Sequence, residues 1–451
     1  MNTLLKKYDV PGPRYTSYPT IPYWDNEKFN LSLWKENVYN ALNIMSSEEG
    51  ISLYIHLPFC ESLCTYCGCN TRITVNHSVE LPYINAVLQE WNLYKRIFGR
   101  KPKIKEIHLG GGTPTFFSPE NLFLLLEGIL CGAYILDDAE LSFEGHPDST
   151  KEEHLRILYG LGFRRMSLGI QDFDPAVQAI INRKQSFEQV EHITSLARKI
   201  GYDSLNFDLI YGLPLQTIKG LENTFRKVEL LRPDRIAFYG YAHVPWIKPA
   251  QRKFQETDLP DQEQRRKLYD TGKNILRASG YTEIGLDHFA LPTDPLYRAL
   301  QDKTLHRNFM GYTGAHTSTL IGLGCSSISD SWTAFAQNVK TVEEYIKEVN
   351  NGNLPISRGH ILTGEDLILR RYILNILCKM ETCLESSSVL VNIHEILNRL
   401  KGMEEDGLVE TSDCFLKVTE KGRPFLRNIC MAFDKRLQEQ RSNKSIFSNT
   451  I

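Results

Sequence analysis

The sequence predicts an α/β fold: a partial (β/α)6 barrel with an N-terminal extended segment and a mainly helical, winged-helix-like C-terminal domain. Three observations predict it. Short β-rich runs recur six times from residue 51, with helix-period stretches between most of them. The unusual motifs all fall just after those runs, where the loops of a parallel sheet carry chemistry. Past about residue 340 the alternation gives way to helical faces and a hairpin.

Residues 1–45 carry the turn-rich, aromatic stretch KYDVPGPRYTSYPTIPYW, with four prolines between Pro11 and Pro22. Such a segment cannot be one helix, and is expected to run extended over the mouth of the barrel. The barrel is assigned to 46–340. Its strands are ISLYIHL (51–57), IKEIHLG (104–110), AELSFEG (139–145), RRMSLGI (164–170), SLNFDLI (204–210) and RIAFYGY (235–241). Ile84, Val87, Leu88, Trp91, Tyr94 and Phe98 follow helical spacing, and Ser118-Pro119-Glu120 has the chemistry of a helix start. Strands alternating with helices imply a parallel sheet joined by right-handed crossovers. A later strand candidate, YTEIGLD (281–287), and the Gly-rich LIGLGCSSIS (320–329) extend this part to about 340.

Residues 341–451 form the third part. Leu369, Tyr372, Ile373, Ile376, Leu377 and Met380 make one helix face; Ile393, Ile396, Leu397 and Leu400 make another. GLVE and FLKVT then read as a hairpin. Two helices and a hairpin suggest a winged helix, but 15 basic and 16 acidic side chains over 341–451 lack the charge of a DNA-binding surface. A packing or lid role is the better expectation.

Composition narrows the function. The 451 residues, 42% hydrophobic and 24% charged, suffice for two or three domains. A formal charge of −2 argues against a protein that grips nucleic acid or an anionic membrane by bulk charge. No apolar run approaches a membrane span and the start has no secretory h-region, so a soluble, cytoplasmic protein is expected. Cys60, Cys64, Cys67 and Cys69 crowd into ten positions, while the other six cysteines are scattered. In a reducing compartment such a group reads as a metal or cluster site.

Cys60-x3-Cys64-x2-Cys67 lies in the loop after the first strand. Zinc sites normally draw pairs of ligands from two separated elements, and no second pair follows here; structural zinc is the competing reading. Three thiolates can instead bind three irons of a [4Fe–4S] cluster and leave the fourth open to a ligand. Gly110-Gly111-Gly112-Thr113-Pro114 follows the second strand. Glycines there let backbone approach a ligand closely, although a tight strand-to-helix turn would use the same residues.

With these two loops the sequence resembles the radical S-adenosylmethionine (SAM) superfamily, which implies a radical SAM barrel. PGPRYTSYPT, CESLCTYCGCN, IQDFDPAVQAIINR, NFDLIYGLP, YAHVP, DHFALP and HRNFMGYT narrow the resemblance. They are similar to the oxygen-independent coproporphyrinogen III dehydrogenase family, from residue 8 to the C-terminal GLVE. The resemblance implies an oxidoreductase of haem biosynthesis. Two propionates of coproporphyrinogen III would be converted to vinyl groups through a 5′-deoxyadenosyl radical, giving protoporphyrinogen IX. It also implies two SAM per chain, an electron donor such as flavodoxin or ferredoxin, and a monomer with no nucleic-acid partner. No side-chain acid or base can take an unactivated β-hydrogen, so a radical generator is chemically required.

The resemblance makes Cys60, Cys64 and Cys67 the metal ligands. Tyr54, Gly111, Glu144 and Ile328 are then the contacts of the cluster-bound SAM. Tyr66, Gly112, Thr113, Gln171, Arg183, Asp208 and Ala242 are those of the second SAM. Tyr54 is also a candidate catalytic residue. Arg183 can pair with a carboxylate in a fork, while Glu144 and Asp208 can accept from ammonium or ribose hydroxyl groups. Asp208 sits within an apolar run, where burial without a partner would be costly. Tyr66 departs from the phenylalanine that relatives often carry. Cys69 stays outside the ligand set. Arg14, beside Tyr15 and Tyr18, is a candidate grip for substrate carboxylates, and His56 should point to the same side as Tyr54.

Two other functions fit a chain with this cluster motif: a haem-binding chaperone related to the superfamily, and a radical SAM enzyme acting on another porphyrin. Chaperone relatives typically show an HNxxYW run and lack the fourth cysteine and the PGPRYTSYPT segment. This chain has Cys69 and the segment, and reads His306-Arg307-Asn308-Phe309-Met310-Gly311-Tyr312-Thr313.

Overall fold

A computed structural model describes residues 2–45, 48–384, 389–412, 414–439 and 447–450. Six parallel strands form its centre: β1 (Ile51–Leu57), β2 (Lys103–Gly111), β3 (Tyr134–Gly145), β4 (Arg165–Gln171), β5 (Ser204–Tyr211) and β6 (Arg235–Gly240). Each of the first five is followed by a helix that returns the chain to the sheet, and Gln262–Ala278 follows β6. The helix between β1 and β2, Glu80–Phe98, buries Ile84, Val87, Trp91, Tyr94 and Phe98, the face its spacing predicts, and ends on Gly99 in the left-handed region. Ser118 caps the next helix, its hydroxyl accepting from the Asn121 N–H at 3.2 Å, with Pro119 at the first helical position.

The sheet is larger than the six barrel strands and the later candidate at 281–287. Leu320–Leu323 adds a seventh parallel strand beside β1. Three antiparallel strands, Ile328–Asp330, Ala334–Asn338 and Ile356–Ile361, continue outward from it, and His288–Ala290 and Thr282–Gly285 extend the β6 edge, giving twelve strands in all. The α/β sheet therefore runs to Ile361, past the boundary near 340. The run 320–329 conceals this because its glycines and serines turn the chain between two short strands instead of continuing one.

Strand pairing puts polar side chains on one face. Tyr54 lies opposite His108, His108 opposite Ser142, Glu144 opposite Ser167, and Gly169 opposite Asp208. The intervening Leu53, Ile107, Leu109, Phe143, Leu168 and Phe207 are fully buried in the main core. Period-two alternation thus leaves one face apolar and the other a polar interior.

The first 45 residues are not extended throughout. Asn2–Tyr8 and Leu31–Asn40 are helices, and Trp34 and Val38 of the second are fully buried in the main core. Between them the proline-rich stretch is irregular, running without helix from Asp9 to Thr20 and closing on a short 3-10 turn at Ile21–Tyr23. Tyr15 and Tyr18 enter a second core with Tyr372, Ile373, Ile376 and Phe433. The C-terminal part contains helices Gly364–Lys379 and Ile393–Glu405 and a sheet of Glu381–Cys383, Phe415–Val418 and Val409–Ser412. The TSDC turn contains residue 413, which lies outside the described residues. Ile284, Leu296 and Tyr312 from the α/β part share the second core, so this module is packed onto the barrel. Among the described residues no helix is long and apolar enough to cross a membrane.

Candidate functional site

The loop after β1 and the turn after β2 are laced together. The Gly112 N–H donates to the Leu57 carbonyl at 2.8 Å and the Thr113 N–H to that of Phe59 at 3.0 Å; Cys60 Sγ and Thr113 Oγ1 are 3.3 Å apart. The approach is so close that a Cβ on Gly112 would lie 2.5 Å from the Pro58 oxygen. One on Gly111, whose φ is +113°, would lie 2.6 Å from the His56 ring. Only glycine fits these two positions.

Beneath them, Tyr54 and His56 point the same way, as their spacing predicts. His56 is buried, which lowers its pKa and keeps it neutral. Its Nε2 donates to the Asn70 carbonyl at 2.9 Å, so Nδ1 accepts from the Tyr54 hydroxyl at 3.0 Å. His56 is thus a satisfied core histidine that also anchors the end of the cysteine loop.

A cavity of about 270 Å³ opens over these loops. Cys60, Cys64, Tyr66, Cys67, Gly111, Gly112, Thr113, Glu144, Gln171, Arg183 and Asp208 all line it. Three of the expected SAM contacts do not. Tyr54 lies below, stacked on His108. Ala242 lines a larger neighbouring cavity. Ile328 packs beside Trp24, Phe335 and Leu362.

The surroundings of the three thiols differ. The Cys67 thiol is pushed down to about 6 by the hydrogen bond with the Cys69 thiol and the Cys69 N–H, helped by Lys248 and Arg183, against burial. Burial pushes the Cys60 thiol up to about 11. Arg183 is buried; its Nη1 faces Cys64 Sγ at 3.7 Å and its Nη2 donates to the Gly169 carbonyl. Among the described residues no three His, Cys, Asp or Glu side chains converge as they would around a single ion. Soft thiolates spread along one cavity, with a cation behind them, fit separate irons of a polynuclear cluster.

Glu144 accepts from the Gly111 N–H at 3.3 Å and lies 3.4 Å from His108 Nε2. Asp208 is not without partners: Asn206 Nδ2 donates at 2.9 Å and Ser167 Oγ at 3.2 Å. Its apolar sequence context hid these donors, which come from the polar face of two adjacent strands. Burial and the nearby Glu144 still raise its carboxyl to about 7. Gln171 ends β4 with φ +66°, the left-handed region that strains an L-residue and occurs at functional sites. His146, unassigned in the sequence, also lines the cavity, and burial and Arg183 hold it down at about 3.

Glu144 and Asp208 also border a polar cavity of about 220 Å³ inside the barrel. Through Tyr239, His288 and Met310 that space adjoins a third cavity of about 720 Å³. Arg14 stands at this larger cavity, its Nη2 donating to the Gly240 carbonyl at 3.0 Å. The thiol loop, the barrel interior and the larger cavity thus follow one another through shared wall residues, and the larger cavity has room for a ligand of substantial size.

Comparison with known proteins agrees with this geometry. Residues 54–228 match the Radical SAM superfamily. The oxygen-independent coproporphyrinogen III oxidase of Helicobacter pylori (strain ATCC 700392 / 26695) is 38% identical over 452 residues, 99% of this chain and 98% of that protein. The Escherichia coli (strain K12) enzyme of the same name is 36% identical over 454 residues, with the same coverage. The solved structure of coproporphyrinogen III oxidase (HemN) from Escherichia coli, described as a radical SAM enzyme, superposes with a TM-score of 0.89 at 35% identity, covering 96% of this chain and 98% of that one. Near-complete coverage at this identity, on a chain whose thiol and glycine loops meet in one cavity, places it in the oxygen-independent coproporphyrinogen III oxidase family of the radical SAM superfamily.

Proposed function

We propose that this protein decarboxylates two propionates of coproporphyrinogen III to vinyl groups without oxygen, giving protoporphyrinogen IX for haem synthesis. The observation that carries the reading is the single cavity shared by three thiols, the glycine turn and the polar strand ends, opening into the barrel.

Cys60, Cys64 and Cys67 would hold three irons of a [4Fe–4S] cluster. When bound, that cluster and SAM supply the 5′-deoxyadenosyl radical needed to take an unactivated β-hydrogen. The Gly111 backbone and Glu144 face the thiols and suit the polar groups of a first SAM, with Tyr54 below and Ile328 at the adjoining strand. Tyr66, Gly112, Thr113, Gln171, Arg183, Asp208 and Ala242 suit a second. In that reading the guanidinium of Arg183 orients a carboxylate. Asp208, held up to about 7, can donate or accept towards ribose hydroxyls. The apolar rings of Tyr66 and Phe116 at the cavity wall exclude water. Residues 1–45 and 341–451 act as cover for the barrel of 46–340, and the working unit is a cytoplasmic monomer that receives electrons from a flavodoxin or ferredoxin.

Anaerobic reconstitution with iron and sulfide, then SAM, a reductant and coproporphyrinogen III, tests this. Protoporphyrinogen IX should form with two SAM cleaved per substrate. Haem bound with no decarboxylated product would replace the reading with a chaperone. Consumption of a different porphyrin alone would redirect the substrate.

A further inference from the structure

The cavity of about 720 Å³ has an unusual electrostatic lining. Seven lysine and arginine side chains border it against four carboxylates, in a chain whose net charge is −2. Positive charge has been concentrated here at a cost, because several of these cations have no counter-ion. Among the described residues, Arg307, Arg265 and Arg427 have no carboxylate within 4 Å, and Arg14 has only Asp287 at 3.8 Å.

Arg307 is the most telling. It is 8% exposed, and its Nε and Nη1 are buried without a hydrogen-bond partner. It sits on the hairpin His306–Asn308/Gly311–Thr313, its guanidinium 4.6 Å over the Tyr312 ring. The Nε of Arg265 is likewise buried and unpartnered, with its guanidinium 5.6 Å over Tyr211. Nearby, His288 Nδ1 is a fourth unpartnered buried atom. Burial followed by the charges of Arg307 and Arg235 holds His288 down at about 3, so its ring is neutral. Arg427 spends its donors on the Gly12, Pro13 and Asn449 carbonyls and has no carboxylate in direct contact, Asp287 acting on it only at longer range. A buried guanidinium without an anion is strongly unfavourable and calls for an opposite charge, which a ligand carboxylate would supply. Guanidinium forks also suit carboxylates better than lysine would.

We infer that Arg307 and Arg265, with Arg14 and Arg427 around them, form an anchoring site for the substrate carboxylates that are not reacting, a specificity site of the reaction proposed above. The inference rests on that reading. Geometry gives the substrate its direction. Tyr239, His288 and Met310 line both this cavity and the barrel interior, and Glu144 and Asp208 line both the interior and the thiol cavity. A ring system against Tyr211, Tyr239 and Tyr241, held by its carboxylates at the arginine end, directs its opposite side along that path to the thiol loop. Arg14, Arg307 and Arg427 belong to three distant stretches, so the anchor exists only when the N-terminal segment, the hairpin and the C-terminal module are all seated.

The test uses reconstituted holoenzyme and two fluorescent probes, coproporphyrin III and its tetramethyl ester, titrated into wild type, Arg307→Gln, Arg265→Gln and Arg307→Lys. Each glutamine variant should weaken the tetracarboxylate about ten- to a hundredfold, as loss of a charge-assisted pair does, and leave the ester unchanged. Arg307→Lys, which keeps the charge and loses the fork, should fall between. Equal losses for acid and ester, or none for either, overturn the anchor. Iron–sulfur absorbance in each variant confirms that its loops are assembled. Wild-type turnover of coproporphyrinogen III is measured alongside: its absence defeats the proposed reaction, whereas charge-independent binding by an active enzyme defeats only the anchor.

Discussion

Cys64 sits 3.7 Å from the Arg183 guanidinium, and the pairing links the thiol loop to the turn that follows Gln178 on the far side of the cavity. Cys64→Ala should abolish the brown iron–sulfur absorbance and SAM cleavage together, whereas a full cluster in the variant would remove Cys64 from the ligand set. Arg183→Lys separates charge from geometry. A lysine ammonium cannot face Cys64 and donate to the Gly169 carbonyl while also presenting a flat fork. The variant should keep its cluster spectrum and lose about tenfold in turnover, with fewer SAM cleaved per substrate; unchanged stoichiometry would remove Arg183 from SAM positioning. The thiols were legible in the sequence because one loop carries all three. The donors to Asp208 were not, since Ser167 and Asn206 reach it only through strand pairing.

The glycine turn after β2 and the cysteine loop after β1 act as one element, because parallel pairing brings both strand ends to one edge. Gly112→Ala would drive a methyl group onto the Pro58 and Phe59 carbonyls, backbone atoms that cannot swing aside. Overpacking of this kind costs about 1–3 kcal/mol. Here the strain falls on the thiol loop, so iron retained after reconstitution should drop severalfold. Gly160→Ala, at a helical site where a Cβ meets nothing within 4 Å, is the control and should leave iron content unchanged while the melting temperature holds or rises slightly. The six central strands were readable from their β-rich runs to within a few residues at each end. Of the antiparallel edge strands, Thr282–Gly285 was readable within YTEIGLD; the others were not, because three to six residues hold too little alternation to declare a strand before a neighbour pairs with it.

Across the molecule, one buried carboxylate ties the parts together. Asp366, at the start of Gly364–Lys379, accepts from Arg436 at 3.0 and 2.8 Å and from the Thr363 N–H at 2.9 Å, and lies 3.4 Å from His360. His360 accepts from the Asp25 N–H, and Arg436 also donates to the Tyr23 carbonyl. Burial opposes ionisation of Asp366, but the His360, Arg436 and Thr363 contacts outweigh it and hold the carboxyl below its ordinary 3.8. A depressed carboxyl stabilises the fold above its unfolded pKa and loses that contribution as pH falls through the folded one. Asp366→Asn should therefore cost about 3 kcal/mol near pH 7. The gap to wild type in urea melts should narrow below about pH 4. A constant gap across that range would show that packing, not charge, is lost. Because this knot also seats the N-terminal segment beside Arg14, the same variant should weaken substrate binding.

The sequence by itself determined the α/β class, the six central strands, the cluster chemistry and the family, because each is written in local patterns: period-two runs, a three-cysteine loop, a glycine turn. Tertiary structure alone decided how far the sheet extends, which donors serve Asp208, and that Arg14, Arg265, Arg307 and Arg427 share one cavity. A lone arginine in sequence is indistinguishable from a solvated one; only burial without a counter-ion makes it a site, and burial is a property of the folded whole.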